Sequence, residues 1–177
     1  MELKNLVAIL NNLVRTGWMI RGVPRCLAET VSQHTFVAAI VSLVLSEKLV
    51  EKGIDIDPYR VVAITLTHDL IEAYIGDIPS NIDKELENCK TAVEKKLVGK
   101  MFRSKLIRSL LEEFLKQETM ESRIAKLSDR IATYIQAVIY KEQNYNVNDI
   151  LENMEKIISK YSKEIGYTNI LDMIKEV

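Results

Sequence analysis

The spacing of apolar residues along the chain predicts helices throughout and no strands. From Leu3 to Val14, apolar residues recur every three or four positions, which is the period of an amphipathic helix. Similar spacing, or a nearly continuous apolar run, predicts further helices over 35–52, 58–75, 83–100, 104–116 and 120–141, and two in 147–176 separated at Gly166. No alternating strand pattern, internal repeat or low-complexity segment is evident. The expected fold class is all-α.

Glycine and proline mark the helix ends and one irregular segment. Gly53 is placed to close the helix before it, and Asp57 followed by proline is a strong helix start. The segment Arg15–Arg25 holds three arginines, two glycines and the only tryptophan, Trp18, and is predicted to be a loop. It can cover one end of the core, or it can bind an anion beside a flat ring, because guanidinium groups suit phosphate. The residues leave both readings open.

Composition limits the function classes. A chain of 177 residues with 47% hydrophobic and 28% charged residues is expected to form one globular domain. The balance of 24 basic and 25 acidic residues predicts neither a nucleic-acid nor a membrane partner. The longest apolar run, 36–45, is shorter than the roughly 20 residues of a bilayer span. Two cysteines, no CxxC and no signal-peptide pattern favour the cytoplasm.

Four polar residues stand out in and just after the helix predicted over 58–75. On a continuous helix, His68 and Asp69 would share one face with Glu72, while Asp77 would lie in the loop beyond. Burying an unpaired imidazole and carboxylates costs several kcal/mol. A divalent cation would remove that cost, because imidazole nitrogens and carboxylate oxygens are both good ligands. These residues therefore suggest a metal site.

Taken singly, the remaining candidates have simpler readings. His34, at the start of an apolar helix, is typical of a buried or capping histidine. Asp129 could be an exposed helix residue or the partner of Arg123, Lys126 or Arg130. All of these histidines and acids could also be buried pairs in a purely structural scaffold.

Three segments, taken together, resemble a known family. Glu29-Thr-Val-Ser-Gln-His34, Thr67-His-Asp-Leu-Ile-Glu-Ala-Tyr-Ile-Gly-Asp-Ile-Pro79 and Ala125-Lys-Leu-Ser-Asp129 are similar to motifs of HD-domain metal-dependent phosphohydrolases, and particularly of the HD-domain 5′-deoxynucleotidases. The segment Arg15–Gly22 resembles the loop before the first metal histidine in the branch with eukaryotic members. The resemblance covers about residues 1–140. It implies a single HD-domain helical bundle over residues 1–177, with the helices of 147–177 packing on it.

The resemblance implies a metal centre and a hydrolytic reaction. One divalent ion (Mn²⁺, Co²⁺, Fe²⁺, Mg²⁺ or Zn²⁺) would be held by four residues, which are His34, His68, Asp69 and Asp129. Glu72 and Asp77 would lie beside it as the catalytic acids that handle the attacking water and the leaving-group proton.

The resemblance also implies a substrate site in the arginine-rich loop. Arg15 or Arg21 would neutralise the phosphate, and Trp18 would pack against the sugar or base. In the best-known bacterial relatives the substrate arginine and tryptophan are adjacent, whereas two residues separate Arg15 from Trp18 here. The phosphate ligand therefore stays open among Arg15, Arg21 and Arg25.

The expected activity is release of phosphate from 5′-nucleoside monophosphates, with deoxyribonucleotides favoured by the resemblance, which also suggests a homodimer. Two alternatives belong to other classes. One is a phosphodiesterase or a hydrolase of another phosphorylated metabolite. The other is a sensor module that binds nucleotide and metal without turnover, although retention of Glu72 and Asp77 beside the metal ligands argues against it.

Overall fold

Helices make up the regular structure of residues 1–79 and 84–173, the ranges that the computed structural model describes. Ten are present in these ranges: α1 Leu3–Asn12, α2 Thr16–Met19, α3 Val31–Glu51, α4 Pro58–Thr67, α5 Glu72–Ile75, α6 Lys84–Met101, α7 Lys105–Lys116, α8 Met120–Glu142, α9 Asn148–Glu164 and α10 Ile170–Met173. The same ranges show one isolated antiparallel bridge, between Val14 and Thr30. The all-α prediction is confirmed. The predicted helix start at residue 83 and the predicted tail end at 176 lie outside the described residues.

Local sequence signals set the ends of α3 and α4. Thr30 and Gln33 form a capping box, so α3 begins at residue 31 rather than at the predicted 35. Gly53 has a positive φ of 84° immediately after the α3 cap, as the sequence predicted. Asp57 accepts hydrogen bonds from the first amides of α4, which begins at Pro58.

The centre of the fold is formed by α3, α4 and α8, which pack against one another, while α9 packs on α8. Their buried faces belong to one hydrophobic cluster that extends from Val14 to Ile170. Leu45, Ile64 and Ile131 are among its fully buried members. The C-terminal helices therefore share the core of the rest of the chain, as expected of a single helical domain.

The length and apolar composition of α3 would by themselves allow it to cross a membrane. In the structure this helix packs against α4 and α8, and it buries the polar side chains of His34, Ser42 and Ser46. A helix at the centre of a helical domain is apolar on most of its faces because those faces pack against neighbouring helices.

The prediction of one continuous helix over 58–75 is wrong. α4 ends at Thr67, residues 68–71 form turns, and α5 covers only Glu72–Ile75. The amides of Leu70 and Glu72 bond to carbonyls three residues earlier, which tightens the backbone out of the α-helical pattern.

The prediction that Arg15–Arg25 contains no regular helix is also wrong for one turn, α2. The amide of Thr16, at the start of α2, donates to Asp77, a contact that no local pattern indicates.

Candidate active site

Three side chains, two from helices and one from the turn after α4, converge at one buried point. His34 comes from α3, His68 follows the last residue of α4, and Asp129 lies in the middle of α8. One ligand atom of each lies within 4.8 Å of the other two. The Nε2 atom of His34 is 3.1 Å from Oδ1 of Asp129, and Nε2 of His68 is 3.8 Å from the same oxygen. Residues far apart in the sequence are thus brought together as the motif predicted.

Asp69 approaches this cluster from its open side. Its Oδ2 atom is 3.0 Å from Nε2 of His68 and 3.9 Å from Nε2 of His34. The same oxygen is 3.3 Å from Nη1 of Arg15. Asp69 is therefore within reach of the site while it is also paired with a cation. Its place as a fourth metal ligand stays a prediction.

The chemistry of the donor atoms fits a metal ion. Nδ1 of His68 donates to the carbonyl oxygen of Thr65 at 2.6 Å, so in the neutral ring Nε2 carries the free lone pair. That Nε2 is buried and has no hydrogen-bond partner in the part of the chain that the structure describes. Behind His34, Oε1 of Glu29 is 3.7 Å from Nδ1, which is too far for a hydrogen bond, and this Nδ1 is also buried without a partner among the described residues. The histidine Nε2 atoms lie 3.1 and 3.8 Å from Oδ1 of Asp129, separations that suit one ion bonded at about 2.1 Å to each atom.

The electrostatics of the cluster also favour a cation. Burial alone would lower the pKa of His68, but the carboxylates of Asp69 and Asp129 raise it to about 10. Burial would raise the pKa of Asp129, yet Arg130 and Lys126 hold it well below its usual range. Both effects mean that the carboxylates stay ionised and stabilise positive charge between them. A proton or a metal ion can supply that charge.

Glu72 lies beside the cluster as a buried carboxyl group, with only 3% of its surface exposed. Its Oε1 accepts a hydrogen bond from Nζ of Lys90 at 3.2 Å. Its Oε2 is buried and has no partner among the described residues. Burial and the charge of Asp69 raise the pKa of Glu72 to about 8, although Lys90 and Arg15 oppose the shift. Such a carboxyl group can exchange a proton near neutral pH.

Asp77 makes a different contact from the one that the sequence suggested. Its Oδ2 accepts a hydrogen bond from the amide of Thr16 at 2.5 Å, and its carbonyl oxygen accepts another from the Thr16 hydroxyl at 3.0 Å. These bonds join the loop after α5 to the start of α2. Asp77 lines the same cavity as Glu72. Its catalytic role stays a prediction.

The three candidate arginines occupy different environments. Arg15 is mostly buried and pairs with Asp69, and the surrounding carboxylates outweigh burial and raise its pKa above the usual value. Arg21 makes a bidentate contact with Asp149 on α9 and also donates to the Gly17 carbonyl. Arg25 is exposed and is not among the cavity-lining residues. Arg15 alone of the three lies against the predicted metal ligands.

Trp18 is packed into the fold more tightly than a free stacking platform would be. Only 2% of its surface is exposed, and its indole N–H donates to Oε1 of Glu29 at 2.8 Å. Its ring also meets Tyr140 edge-on, with 5.0 Å between centroids. Trp18 still lines the cavity, and its contact with a sugar or base stays a prediction.

A cavity of about 160 Å³ lies over the carboxylate side of the cluster. Seven of its lining residues were singled out from the sequence: Arg15, Trp18, Arg21, Asp69, Glu72, Asp77 and Asp129. The other lining residues were not assigned a place in the site, and they include Lys90, Lys126, Arg130, Thr133, Ile150 and Met154. The cavity therefore brings acids, cations and an apolar wall from α9 to one place.

The residues that sequence reasoning missed carried weak signals. Lys126 and Arg130 lie 3.4 and 3.8 Å from Oδ2 of Asp129, the oxygen that does not face the histidines. The sequence offered them only as ion-pair partners of an exposed aspartate. Lys90 pairs with Glu94 at i,i+4 spacing, which is typical of any solvent-facing helix. Nothing local distinguished it from its neighbours on α6.

Fold and site together define a helical metal-binding domain with a charged cavity beside the metal ligands. A family model described as HD domain matches residues 7–168. The chain belongs to the HD domain family, in which divalent metal binding is expected. The match extends beyond the part of the chain, about 1–140, that carried the resemblance.

Known proteins similar to this chain agree with the assignment. The 5′-deoxynucleotidase HDDC2 of Dictyostelium discoideum is 29% identical, covering 94% of this chain and 88% of the relative. The human protein of the same name is 25% identical, with coverage of 100% and 83%. The predicted similarity to HD-domain 5′-deoxynucleotidases is therefore confirmed.

Solved structures share the fold over nearly the whole chain. The PH0347 protein from Pyrococcus horikoshii has a TM-score of 0.78 at 28% identity, covering 97% of this chain and 98% of that one. An HD-domain phosphohydrolase from Listeria innocua has a TM-score of 0.73 at 21% identity, with coverage of 98% and 88%. The predicted HD-domain fold is confirmed.

Proposed function

We propose that this protein is a metal-dependent 5′-deoxynucleotidase, which releases inorganic phosphate from 5′-nucleoside monophosphates. The observation that carries the proposal is that one cavity brings the protonatable carboxyl of Glu72 and the cation of Arg15 beside the buried cluster of candidate metal ligands. The relatives named 5′-deoxynucleotidase support the substrate class.

The metal site is proposed to hold one divalent ion through His34, His68, Asp69 and Asp129. Such an ion would polarise the phosphoryl group and lower the pKa of bound water. Its identity is open among Mn²⁺, Co²⁺, Fe²⁺, Mg²⁺ and Zn²⁺, because mixed nitrogen and oxygen ligands suit all of them.

Glu72 is proposed to move the proton in this reaction. Oε1 is bound by Lys90, which leaves Oε2 to accept a hydrogen bond from the attacking water. As the water oxygen bonds to phosphorus and the bond from phosphorus to O5′ breaks, the carboxylate takes a proton from the water. The protonated carboxyl then returns it to O5′, so the products are inorganic phosphate and a nucleoside.

Arg15 is proposed to neutralise the phosphate. Arg15 keeps its charge, and its Nη1 lies 3.3 Å from Oδ2 of Asp69, at the edge of the candidate ligand cluster where a bound phosphate oxygen would be placed. A cavity of about 160 Å³ is smaller than typical ligand pockets of about 300–1,000 Å³, so it suits the phosphate end of a nucleotide. The apolar side chains of Ile20, Ile150 and Met154 offer a surface for the sugar and base.

Phosphate release tests the proposal directly. The purified protein is incubated with 5′-deoxyribonucleotides, 5′-ribonucleotides, 3′-monophosphates and a generic phosphodiester, each with Mg²⁺, Mn²⁺, Co²⁺ or Zn²⁺. The variant Asp129→Ala removes a ligand from the cluster, and Glu152→Ala, an exposed acid on α9, is the matched control. We expect release from 5′-monophosphates that requires metal, is lost in Asp129→Ala and is retained in Glu152→Ala.

Other outcomes would redirect the assignment. Turnover of the diester alone would make the protein a phosphodiesterase. Binding of metal and nucleotide without turnover of any substrate would make it a sensor module.

We further infer a homodimer in the cytoplasm that binds neither nucleic acid nor membranes. The formal net charge of −1 and two exposed free cysteines, Cys26 and Cys89, are compatible with that setting. The family resemblance supports the dimer. Light scattering coupled to size exclusion measures the assembly, and a mass near 20.3 kDa would contradict a dimer.

A further inference from the structure

Lys90 is held between three elements of the site. Its Nζ donates to Oε1 of Glu72 at 3.2 Å and to the carbonyl oxygen of Ile78 at 3.0 Å. Oε1 of Glu94, one turn further along α6, is 3.8 Å away. The lysine side chain is only 17% exposed. The ammonium group therefore joins α5, the loop after α5, and α6.

These contacts restrict the Glu72 carboxyl to one orientation. Oε1 is fixed by Lys90, and Oε2 is left buried and without a partner in the described residues. A buried carboxylate without a cation would turn toward another donor or take up a proton. With Lys90 in place, one oxygen binds the lysine and the other is the oxygen left to accept a hydrogen bond during the reaction.

The same contacts argue against Lys90 as a phosphate ligand. An ammonium group has three N–H donors. Two are used by Glu72 and Ile78, and the carboxylate of Glu94 lies close to Nζ as well. A bound phosphate would have to displace one of these oxygens, whereas Arg15 already lies beside the metal ligands.

We propose that Lys90 is a positioning residue that holds Glu72 in the orientation needed for proton transfer. This role rests on the proposed phosphohydrolase function. Lys90 acts through Glu72 and contacts neither metal nor substrate. Replacing Lys90 should therefore lower kcat and leave substrate and metal affinity nearly unchanged.

The test compares four proteins: wild type, Lys90→Met, Lys90→Arg and the control Lys95→Met, which alters an exposed lysine on the same helix. Phosphate release from 5′-deoxyribonucleotides gives kcat and KM. Calorimetric titration with Mn²⁺ gives the stoichiometry and affinity of metal binding.

In Lys90→Met we expect kcat to fall about 10- to 100-fold, part of what a well-placed general acid–base contributes. KM and Mn²⁺ affinity should change less than about threefold, because neither ligand contacts Lys90. Lys90→Arg should recover most of the lost kcat, since a guanidinium group can also donate to Glu72. Lys95→Met should match wild type.

Three results would overturn this role. A higher KM with unchanged kcat in Lys90→Met would make Lys90 a substrate ligand. Unchanged kinetics, or a loss that Lys90→Arg does not recover, would leave Lys90 a structural residue. If Lys90→Met does not fold, Lys90→Gln replaces it with the same expected loss of kcat, because its shorter, uncharged side chain does not place a donor at the position of Nζ. Absence of turnover in wild type would instead refute the proposed function itself.

Discussion

The carboxylate of Asp77 accepts a hydrogen bond from the backbone amide of Thr16, 61 residues earlier in the chain. A second bond, from the Thr16 hydroxyl to the Asp77 carbonyl, runs beside it. The two bonds join the segment that carries Arg15 to the loop that follows the helix of Glu72. This contact therefore fixes the position of Arg15, the proposed phosphate ligand, relative to Glu72, the proposed proton-transfer group.

Replacing Asp77 tests whether this contact positions the substrate loop. Asp77→Ala removes the acceptor of the Thr16 amide, a bond to a charged group worth about 1.5–3 kcal/mol. We expect KM for 5′-deoxyribonucleotides to rise roughly tenfold or more, with metal stoichiometry unchanged. Asp77→Asn keeps an acceptor oxygen and should fall between alanine and wild type. A loss of kcat with constant KM would instead return Asp77 to the catalytic role suggested by the sequence.

Metal binding should raise the stability of the folded chain, because His34, His68 and Asp129 form a site only when folded. Free metal at about 100 times its Kd should raise the free energy of unfolding by about 2.7 kcal/mol. For a chain of this size the melting temperature should rise by roughly 5–10 °C. Scanning calorimetry with Mn²⁺ and then EDTA measures this. His34→Gln should show no such rise, and an equal rise in that variant would place the metal elsewhere.

Burial of Glu72 predicts a dependence of stability on pH. In the metal-free protein, burial raises the pKa of Glu72 to about 8, above its usual value of 4.5. The folded state therefore favours the protonated form. This contribution to stability is complete below about pH 4.5 and is lost as the pH rises through about 8.

Urea unfolding in EDTA, at about pH 5, 7 and 9, measures the effect. From pH 5 to 9, the free energy of unfolding of wild type should fall by a few kcal/mol more than that of Glu72→Gln, which cannot ionise there. Parallel profiles for the two proteins would show that Glu72 is ionised in the fold throughout this range.

Arg15 and Arg21, the two candidate arginines that line the cavity, should differ in their effect on catalysis. Arg15 pairs with Asp69 beside the candidate metal ligands, whereas Arg21 is already bound by Asp149. We expect Arg15→Ala to lower kcat/KM about 100-fold, the loss of a charge-assisted phosphate contact. Arg21→Ala should change kcat/KM less than about fivefold. Asp149→Asn should lower the free energy of unfolding by less than about 1 kcal/mol, because Asp149 is exposed. A larger loss for Arg21→Ala than for Arg15→Ala would reverse the assignment.

The sequence by itself determined the helical class, most helix ends and the candidate metal ligands. Apolar periodicity and the caps at Thr30 and Asp57 act over a few residues, so they can be read without a fold. The ligands His34, His68 and Asp129 were predictable because their motif preserves both order and residue type, although their convergence needed the packing of α3, α4 and α8.

Only the tertiary structure decided the contacts that complete the site. The break after Thr67, the burial of Trp18 against Glu29 and the pairing of Lys90 with Glu72 each depend on neighbours from other segments. Side-chain periodicity reports which face of a helix is buried, but not which polar group of another helix will meet it. Lys90 has the spacing of a surface lysine, and only the folded chain brings its partly buried side chain to Glu72.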